Sequence, residues 1–291
     1  MDATQSLKSL LSNCTLPASE ARILLAHVLE KHYQLPRSAL LSRDDMVLSP
    51  AAQEDWQSLE SRRIDGEPIA YLLGKKGFHD IELIVGPGVL IPRPETELLV
   101  DVVLSEIRKL TELPKPDKQG EPCKILDLGT GSGAIALAIA KSAPNALLIA
   151  TDQSEDALNI AQLNAKELGL EHQVTFVQGS WYQPLDAAMR FDVIVSNPPY
   201  IANLDPHLSQ GDLRFEPSSA LTDFASGLTC LEVIISQADQ YLTLGGLIAV
   251  EHGFDQSEPV IQLMSSAGLT DVEVHQDLAG HDRVTTGRRP A

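Results

Sequence analysis

The stretch Ile125-Leu126-Asp127-Leu128-Gly129-Thr130-Gly131-Ser132-Gly133-Ala134 passes from a strand-like apolar run through three alternating glycines into a helical pattern. Glycine lets a backbone turn sharply and approach a ligand without a Cβ in the way, and the helix start that follows offers free N–H donors. Nineteen residues beyond Gly133, at the end of the next strand-like run, stands Asp152. A carboxylate there is placed to accept hydrogen bonds from ribose hydroxyls. The stretch therefore reads as a nucleoside site. Dinucleotide sites use G-x-G-x-x-G and aim a helix at a pyrophosphate, whereas the spacing here is G-x-G-x-G with Asp127 just ahead of it. An acid at that point suits a cationic amino acid better than a phosphate.

Working outward, strand and helix patterns alternate from Lys124 onward. Strands are expected at Lys124–Leu128, Ala146–Thr151, Gln173–Gln178, Phe191–Ser196, Gly246–Glu251, Asp271–His275 and Arg283–Gly287, and helices at 133–142, 154–168, 225–241 and 257–267. Such alternation predicts an α/β fold, a mostly parallel Rossmann-like sheet of seven strands with helices on both faces. Only Gln276 to Asp282 separates the last two strands, so the terminal strand is expected to pair antiparallel. Arg288 to Ala291 reads as a frayed tail.

Ahead of this region, Ala21, Leu24, Leu25, Val28 and Leu29 recur at helical spacing after Pro17 and Ser19, and Ser49-Pro50 opens a second helical segment that ends near Asp65-Gly66. A small helical N-terminal domain over 1–73 follows. His27 and His32 do not share a helix face, so no metal site is expected from them. Between Gly74 and Pro92, Phe78, Ile81, Leu83, Val85, Val89 and Ile91 flank Gly86-Pro87-Gly88, which predicts a β-hairpin linker over 74–92. Pro92-Arg93-Pro94-Glu95-Thr96-Glu97 then opens a helical run from Leu98 to Leu110 with ordinary helix-start chemistry. The Pro-, Lys- and Gly-rich stretch Leu113 to Pro122 reads as an exposed loop, and 93–291 as the main domain.

Composition narrows the partners. The 291 residues carry 22 basic and 40 acidic side chains, a net charge of −18, with 43% apolar residues. Residues 1–93 hold a balance of −2 and residues 94–291 one of −16. A protein that grips nucleic acid needs a basic face, and stacking on unpaired bases needs aromatic residues, which make up only 4% here. Direct nucleic-acid binding is not expected, and Arg62-Arg63 and Lys75-Lys76 read as solvated charges. The longest apolar run, Ala134 to Ala140, is too short to span a bilayer, and the acid at Asp2 with no basic head argues against a secretory signal. Cys14, Cys123 and Cys230 are odd in number and widely spaced, which suits reduced thiols in a cytoplasmic protein.

The second chemical signal is Asn197-Pro198-Pro199-Tyr200, directly after the strand Phe191–Ser196. Two prolines fix an extended loop at the carboxyl end of a strand, where doubly wound sheets bind ligands. A planar carboxamide nitrogen is a poor nucleophile because its lone pair is delocalised. An enzyme can accept its two N–H bonds, one on the Asn197 side-chain oxygen and one on the Pro198 carbonyl, and so favour rehybridisation as a methyl group arrives. Tyr200 can pack on the flat face, so catalysis is mostly orientation and preorganised electrostatics. The same geometry accepts the exocyclic amine of adenine, so this loop alone leaves both substrates open.

The glycine turn with Asp127 resembles the first motif of class I S-adenosylmethionine-dependent methyltransferases. With Gly66-Glu67-Pro68-Ile69-Ala70-Tyr71, Leu90-Ile91-Pro92-Arg93-Pro94-Glu95-Thr96-Glu97, Ser196 to Ile201, Asp212-Leu213-Arg214-Phe215-Glu216-Pro217 and Glu251-His252-Gly253, the chain resembles the peptide chain release factor N5-glutamine methyltransferases over nearly its whole length. The resemblance implies S-adenosylmethionine as methyl donor, with S-adenosylhomocysteine as product, held by Gly129, Thr130, Gly131, Ser132, Gly133, Asp152, Trp181 and Asn197. It implies that Asn197, Pro198, Pro199 and Tyr200 hold the glutamine of a Gly-Gly-Gln loop, and that the N-terminal domain of a monomer helps dock the release factor. Ser180 stands where relatives often carry an acid facing the adenine amine. The competing readings are a ribosomal-protein glutamine methyltransferase, an adenine-N6 methyltransferase and a non-catalytic nucleoside-binding module.

Overall fold

The computed structural model describes residues 5–112 and 120–291; residues 113–119 of the expected exposed loop, and the first four residues, lie outside these. The chain divides into two compact units, Met1–Lys75 and Lys76–Ala291.

In the first unit, α1 (Leu7–Asn13), α2 (Ala18–Tyr33), α3 (Ala39–Ser42), α4 (Pro50–Ile64) and α5 (Ile69–Leu73) close around Leu7, Leu24, Leu25, Leu29 and Trp56, all nearly inaccessible. The expected start signals work as chemistry. The Ser49 hydroxyl accepts the Ala52 N–H at 3.3 Å, and Pro50 occupies the first turn of α4, where its missing N–H costs nothing. Arg63 ties the end of α4 to the start of α2 through Glu20 at 2.6 and 3.1 Å, and Arg62 pairs with Glu67. These two arginines are therefore engaged within the unit.

The second unit opens with a two-stranded sheet, β1 (Lys75–Phe78) and β2 (Ile81–Ile84). Its turn is His79-Asp80, with His79 at φ 51°, and not Gly86-Pro87-Gly88 as the sequence pattern predicts. The Gly86–Gly88 segment makes a separate bend closed by Val89 N–H to Gly86 C=O at 3.3 Å. After a 3₁₀ turn at Pro94–Thr96 comes α6 (Glu97–Glu112), and then β3 (Lys124–Leu128), α7 (Ala134–Ser142), β4 (Leu147–Asp152), α8 (Glu155–Leu168), β5 (Val174–Gln178) and β6 (Phe191–Ser196). The remainder is α9 (Ser218–Leu221), α10 (Thr229–Tyr241), β7 (Leu242–Glu251), α11 (Ser257–Ser266), β8 (Thr270–Gln276) and β9 (Asp282–Arg288).

The large sheet has seven strands in the order β5-β4-β3-β6-β7-β9-β8; β9 runs antiparallel to both neighbours and the other pairings are parallel. The expected α/β class and antiparallel terminal strand are both present. Two boundaries differ for identifiable reasons. β7 begins at Leu242, not at Gly246, because Gly245 at φ 70° carries a bulge that keeps Leu242 paired with Phe191. α10 begins at Thr229, not at 225, because the Asp223 carboxylate collects the N–H groups of Ala225, Gly227 and Thr229 and holds the chain in a turn. Among the described residues no helix is long and apolar enough to cross a membrane.

Candidate active site

Chain order reverses between β3 and β6: the chain steps from β3 outward to β4 and β5, then returns to the other side of β3 as β6. At such a switch point the connecting loops diverge and leave a crevice beyond the carboxyl ends of the strands. Leu128 and Ser196 are register partners, and the Ser196 hydroxyl donates to the Leu128 carbonyl at 2.7 Å. The glycine turn and the Asn197 loop thus leave adjacent strands at the same level. They open on a cleft of about 400 Å³, a size suited to a small-molecule cofactor.

The turn is braced by the end of β4. Gly129 and Thr130 donate to the Thr151 carbonyl at 2.8 and 3.0 Å, and Gly131 donates to Asp152 Oδ2 at 2.8 Å. Asp152 Oδ1 accepts the Ser154 N–H at 2.9 Å. Burial pushes the Asp152 carboxyl up, against the pull of the Ser154, Gly131 and Gln153 amides. A carboxylate has about four acceptor positions, so at least one is left for a ligand's hydroxyl. Trp181, at φ 50°, lays its ring over the turn: a Cβ on Gly129 would stand 3.1 Å from that ring, so only glycine leaves both the turn and the indole in place. Trp181 also packs against the core beside Tyr182, so it serves both the core and the cleft wall. These features, a Cβ-free cradle, a flat apolar cover and a carboxylate with a spare lone pair, fit an adenosine moiety.

Asp127 does not reach the cleft as its sequence position suggests. It is fully buried, its Oδ2 accepts the Thr130 hydroxyl at 2.7 Å, and its Oδ1 has no partner among the described residues. It organises the turn from below, through the Thr130 hydroxyl.

In the second loop, Asn197 donates through Nδ2 to the Thr96 hydroxyl oxygen at 3.0 Å. Its Oδ1 takes no hydrogen bond from the described residues, and Asn197 and Pro199 line the cleft. Pro198 is buried, and Tyr200 packs on the core with its hydroxyl on Glu251 Oε1 at 3.1 Å. The loop is clamped from behind: Gln256 donates to the Tyr200 carbonyl at 3.0 Å while accepting the Gly253 N–H at 2.8 Å. Gly227 passes so close beneath that a Cβ there would clash with the Tyr200 carbonyl.

Of the residues expected to contact cofactor or substrate, Gly129, Thr130, Gly131, Ser132, Asp152, Trp181, Asn197 and Pro199 line one cleft, together with Ser180. Gly133, Pro198 and Tyr200 do not. Gly133 faces Leu137 and Ala161, where a Cβ would be too close at 2.9 and 3.2 Å, so its role in the structure is helix packing. Sequence reasoning did not single out Thr96 or Glu251, which meet only through non-local folding. It also gave Arg93 no definite role; Arg93 forms an ion pair with buried Glu216, whose other oxygen accepts the Ile91 N–H at 2.8 Å, pinning the segment before α9 beside the cleft.

Burial pushes both Asp127 and Glu251 up to about 7, opposed by the Thr130 hydroxyl at the first and by the Thr96 and Tyr200 hydroxyls at the second. Both groups titrate higher folded than unfolded, so the folded chain holds more protons between the ordinary carboxylate range and about pH 7. Their stabilising contribution is fullest in acid and is lost as pH rises to about 7, by up to about 4 kcal/mol per group. Thermal unfolding should therefore show Tm falling less steeply from about pH 5 to about pH 8 in Asp127→Asn than in the parent; equal slopes would contradict this.

Comparison with known proteins agrees with the geometry. Residues 110–212 match the family described as Methyltransferase small domain, and residues 2–74 that described as PrmC N-terminal domain. A release factor glutamine methyltransferase of Burkholderia pseudomallei (strain K96243) is 45% identical over 285 residues, covering 97% of this chain and 95% of its own. One from Escherichia coli (strain K12) is 43% identical over 272 residues, covering 94% and 92%. Among solved structures, a methyltransferase from Pyrococcus furiosus superposes with a TM-score of 0.53 at 17% identity, over 81% of this chain and 100% of its own. The T. thermophilus 16S rRNA N2 G1207 methyltransferase, solved with AdoMet and guanosine, gives 0.51 at 17% identity over 74% of this chain and 49% of its own. At that identity the structural likeness speaks for the fold alone. With identities of 43% and 45% sustained along nearly the whole of both chains, the chain belongs to the release factor glutamine methyltransferase family.

Proposed function

We propose that this enzyme methylates the side-chain amide nitrogen (N5) of the glutamine in the Gly-Gly-Gln motif of a class 1 release factor, using S-adenosylmethionine. The observation that carries this reading is the uncommitted Asn197 Oδ1 on a rigid loop, one strand away from the glycine turn. S-adenosylmethionine, when bound, supplies an electrophilic methyl group on a sulfonium. Gly129 to Ser132 cradle it, Asp152 accepts from its ribose hydroxyls, Trp181 covers its adenine, and Ser180 lies beside that position. Asn197 Oδ1 and the Pro198 carbonyl accept the two amide N–H bonds. Those contacts strengthen as the nitrogen turns pyramidal, which is where binding energy becomes catalysis. Tyr200, anchored by its hydroxyl on Glu251 and only partly buried, covers the flat face of the amide. No general base is needed, because the nitrogen sheds its proton readily only once it carries the methyl group.

The helical unit over 1–73, with a net charge of −3 against −15 for the rest of the chain, is the part proposed to help dock the release factor. Purified enzyme with labelled S-adenosylmethionine should label a release factor in preference to ribosomal proteins and to duplex DNA. Label only on a ribosomal protein, or on DNA, would overturn the assignment.

A further inference from the structure

We infer that Thr96 and Glu251 are positioning residues that fix which end of the Asn197 carboxamide meets the substrate. This rests on the role given to Asn197 above and goes beyond it. The two ends of a carboxamide are alike in size and opposite in chemistry, and a half-turn about its last bond replaces an acceptor by two donors. Only one of the two orientations can accept an N–H from a glutamine. The turned-over amide would oppose donor to donor.

The structure supplies a device that selects the orientation. Thr96 is 4% exposed, ends the 3₁₀ turn before α6, and accepts from Asn197 Nδ2 across 101 residues of sequence. A hydroxyl has a single proton. If that proton is committed elsewhere, the oxygen has only lone pairs to offer and must face Nδ2. Glu251, 1% exposed at the end of β7, is the group placed to commit it: Tyr200 donates to its Oε1 at 3.1 Å, and the nearby Thr96 hydroxyl pulls its carboxyl down against the effect of burial. Once ionised, above about pH 7, this carboxylate only accepts, so it draws the Thr96 proton away from Asn197 and leaves Oδ1 turned toward the substrate. Glu251 Oε2 has no full hydrogen bond among the described residues. Keeping a buried carboxylate so sparsely partnered is costly. A carboxylate that orders Asn197 through Thr96, and Tyr200 directly, gives that cost a function.

The test compares Thr96→Val, which keeps the shape and removes the hydroxyl, with Thr96→Ser, which keeps the hydroxyl. Thr96→Val should lower kcat by about 30-fold with cofactor affinity within about threefold, in line with the loss of one preorganised contact. Thr96→Ser should restore kcat to within about threefold of the parent. Equal losses in both variants, an unchanged kcat in Thr96→Val, a loss confined to KM, or a parallel loss of cofactor affinity would each overturn the inference. Asn197→Ala separates the layers: if it is inactive while Thr96→Val is fully active, only the orienting role fails. If Asn197→Ala itself turns over normally, the reading of Asn197 fails with it.

Discussion

Replacing Asn197 by alanine is expected to lower kcat by about a thousandfold while leaving cofactor affinity within about tenfold of the parent. Loss of one well-aimed acceptor in a preorganised site typically costs that much, because nothing else in the loop can reach the same N–H. Asn197 lines the cleft, so some loss of cofactor contact is expected too, yet the glycine turn, Asp152 and Trp181 are untouched by the change. Single-turnover kinetics with calorimetric cofactor binding separate the two effects. Parallel losses of turnover and affinity would mean that Asn197 serves the cofactor first.

Asp152→Ala is expected to do the reverse, raising the cofactor dissociation constant by about a hundredfold or more. The carboxylate holds the turn through Gly131 at 2.8 Å and the next segment through Ser154 at 2.9 Å, and the ribose acceptors are lost with it. Hydrogen bonds to a charged acceptor contribute about 1.5–3 kcal/mol each, so losing two accounts for two or more orders of magnitude. Asp152→Asn, which retains an acceptor oxygen, should fall between. At saturating cofactor the alanine variant should recover most of its kcat; failure to recover would show that Asp152 bears on the chemistry as well.

The centre of the sheet was legible because its strands are short apolar runs ended by turn-forming residues: Lys124–Leu128 and Phe191–Ser196 coincide with β3 and β6. The cleft was legible because glycines and prolines mark backbone geometry locally. The misplaced hairpin turn shows the limit of that logic. Gly86-Pro87-Gly88 is the stronger turn signal, yet the strands pair across His79-Asp80, with His79 at φ 51°, while Val85, Val89 and Ile91 are buried without joining that sheet. The glycine pair at Gly245-Gly246 likewise resembles a strand end and is a bulge inside β7. Thr96 and Glu251 were legible only as members of motifs that carry the family resemblance, and the roles of these two and of Gln256 could not be read, because their contacts join elements far apart in sequence and leave no periodic trace. Asp127 was recognised as part of the motif, as an acid suited to a cationic ligand, but not as a buried carboxylate that works from beneath the turn.

The central claim is transfer of a methyl group to a glutamine side-chain nitrogen held by the Asn197 loop. Its most direct test is tandem mass spectrometry of a release factor incubated with the enzyme and S-adenosylmethionine, run beside the same release factor with the Gly-Gly-Gln glutamine replaced by alanine. The account predicts one added methyl, on the side-chain nitrogen of that glutamine, and none in the substituted protein. A methyl on any other residue, or equal modification of both proteins, would contradict it.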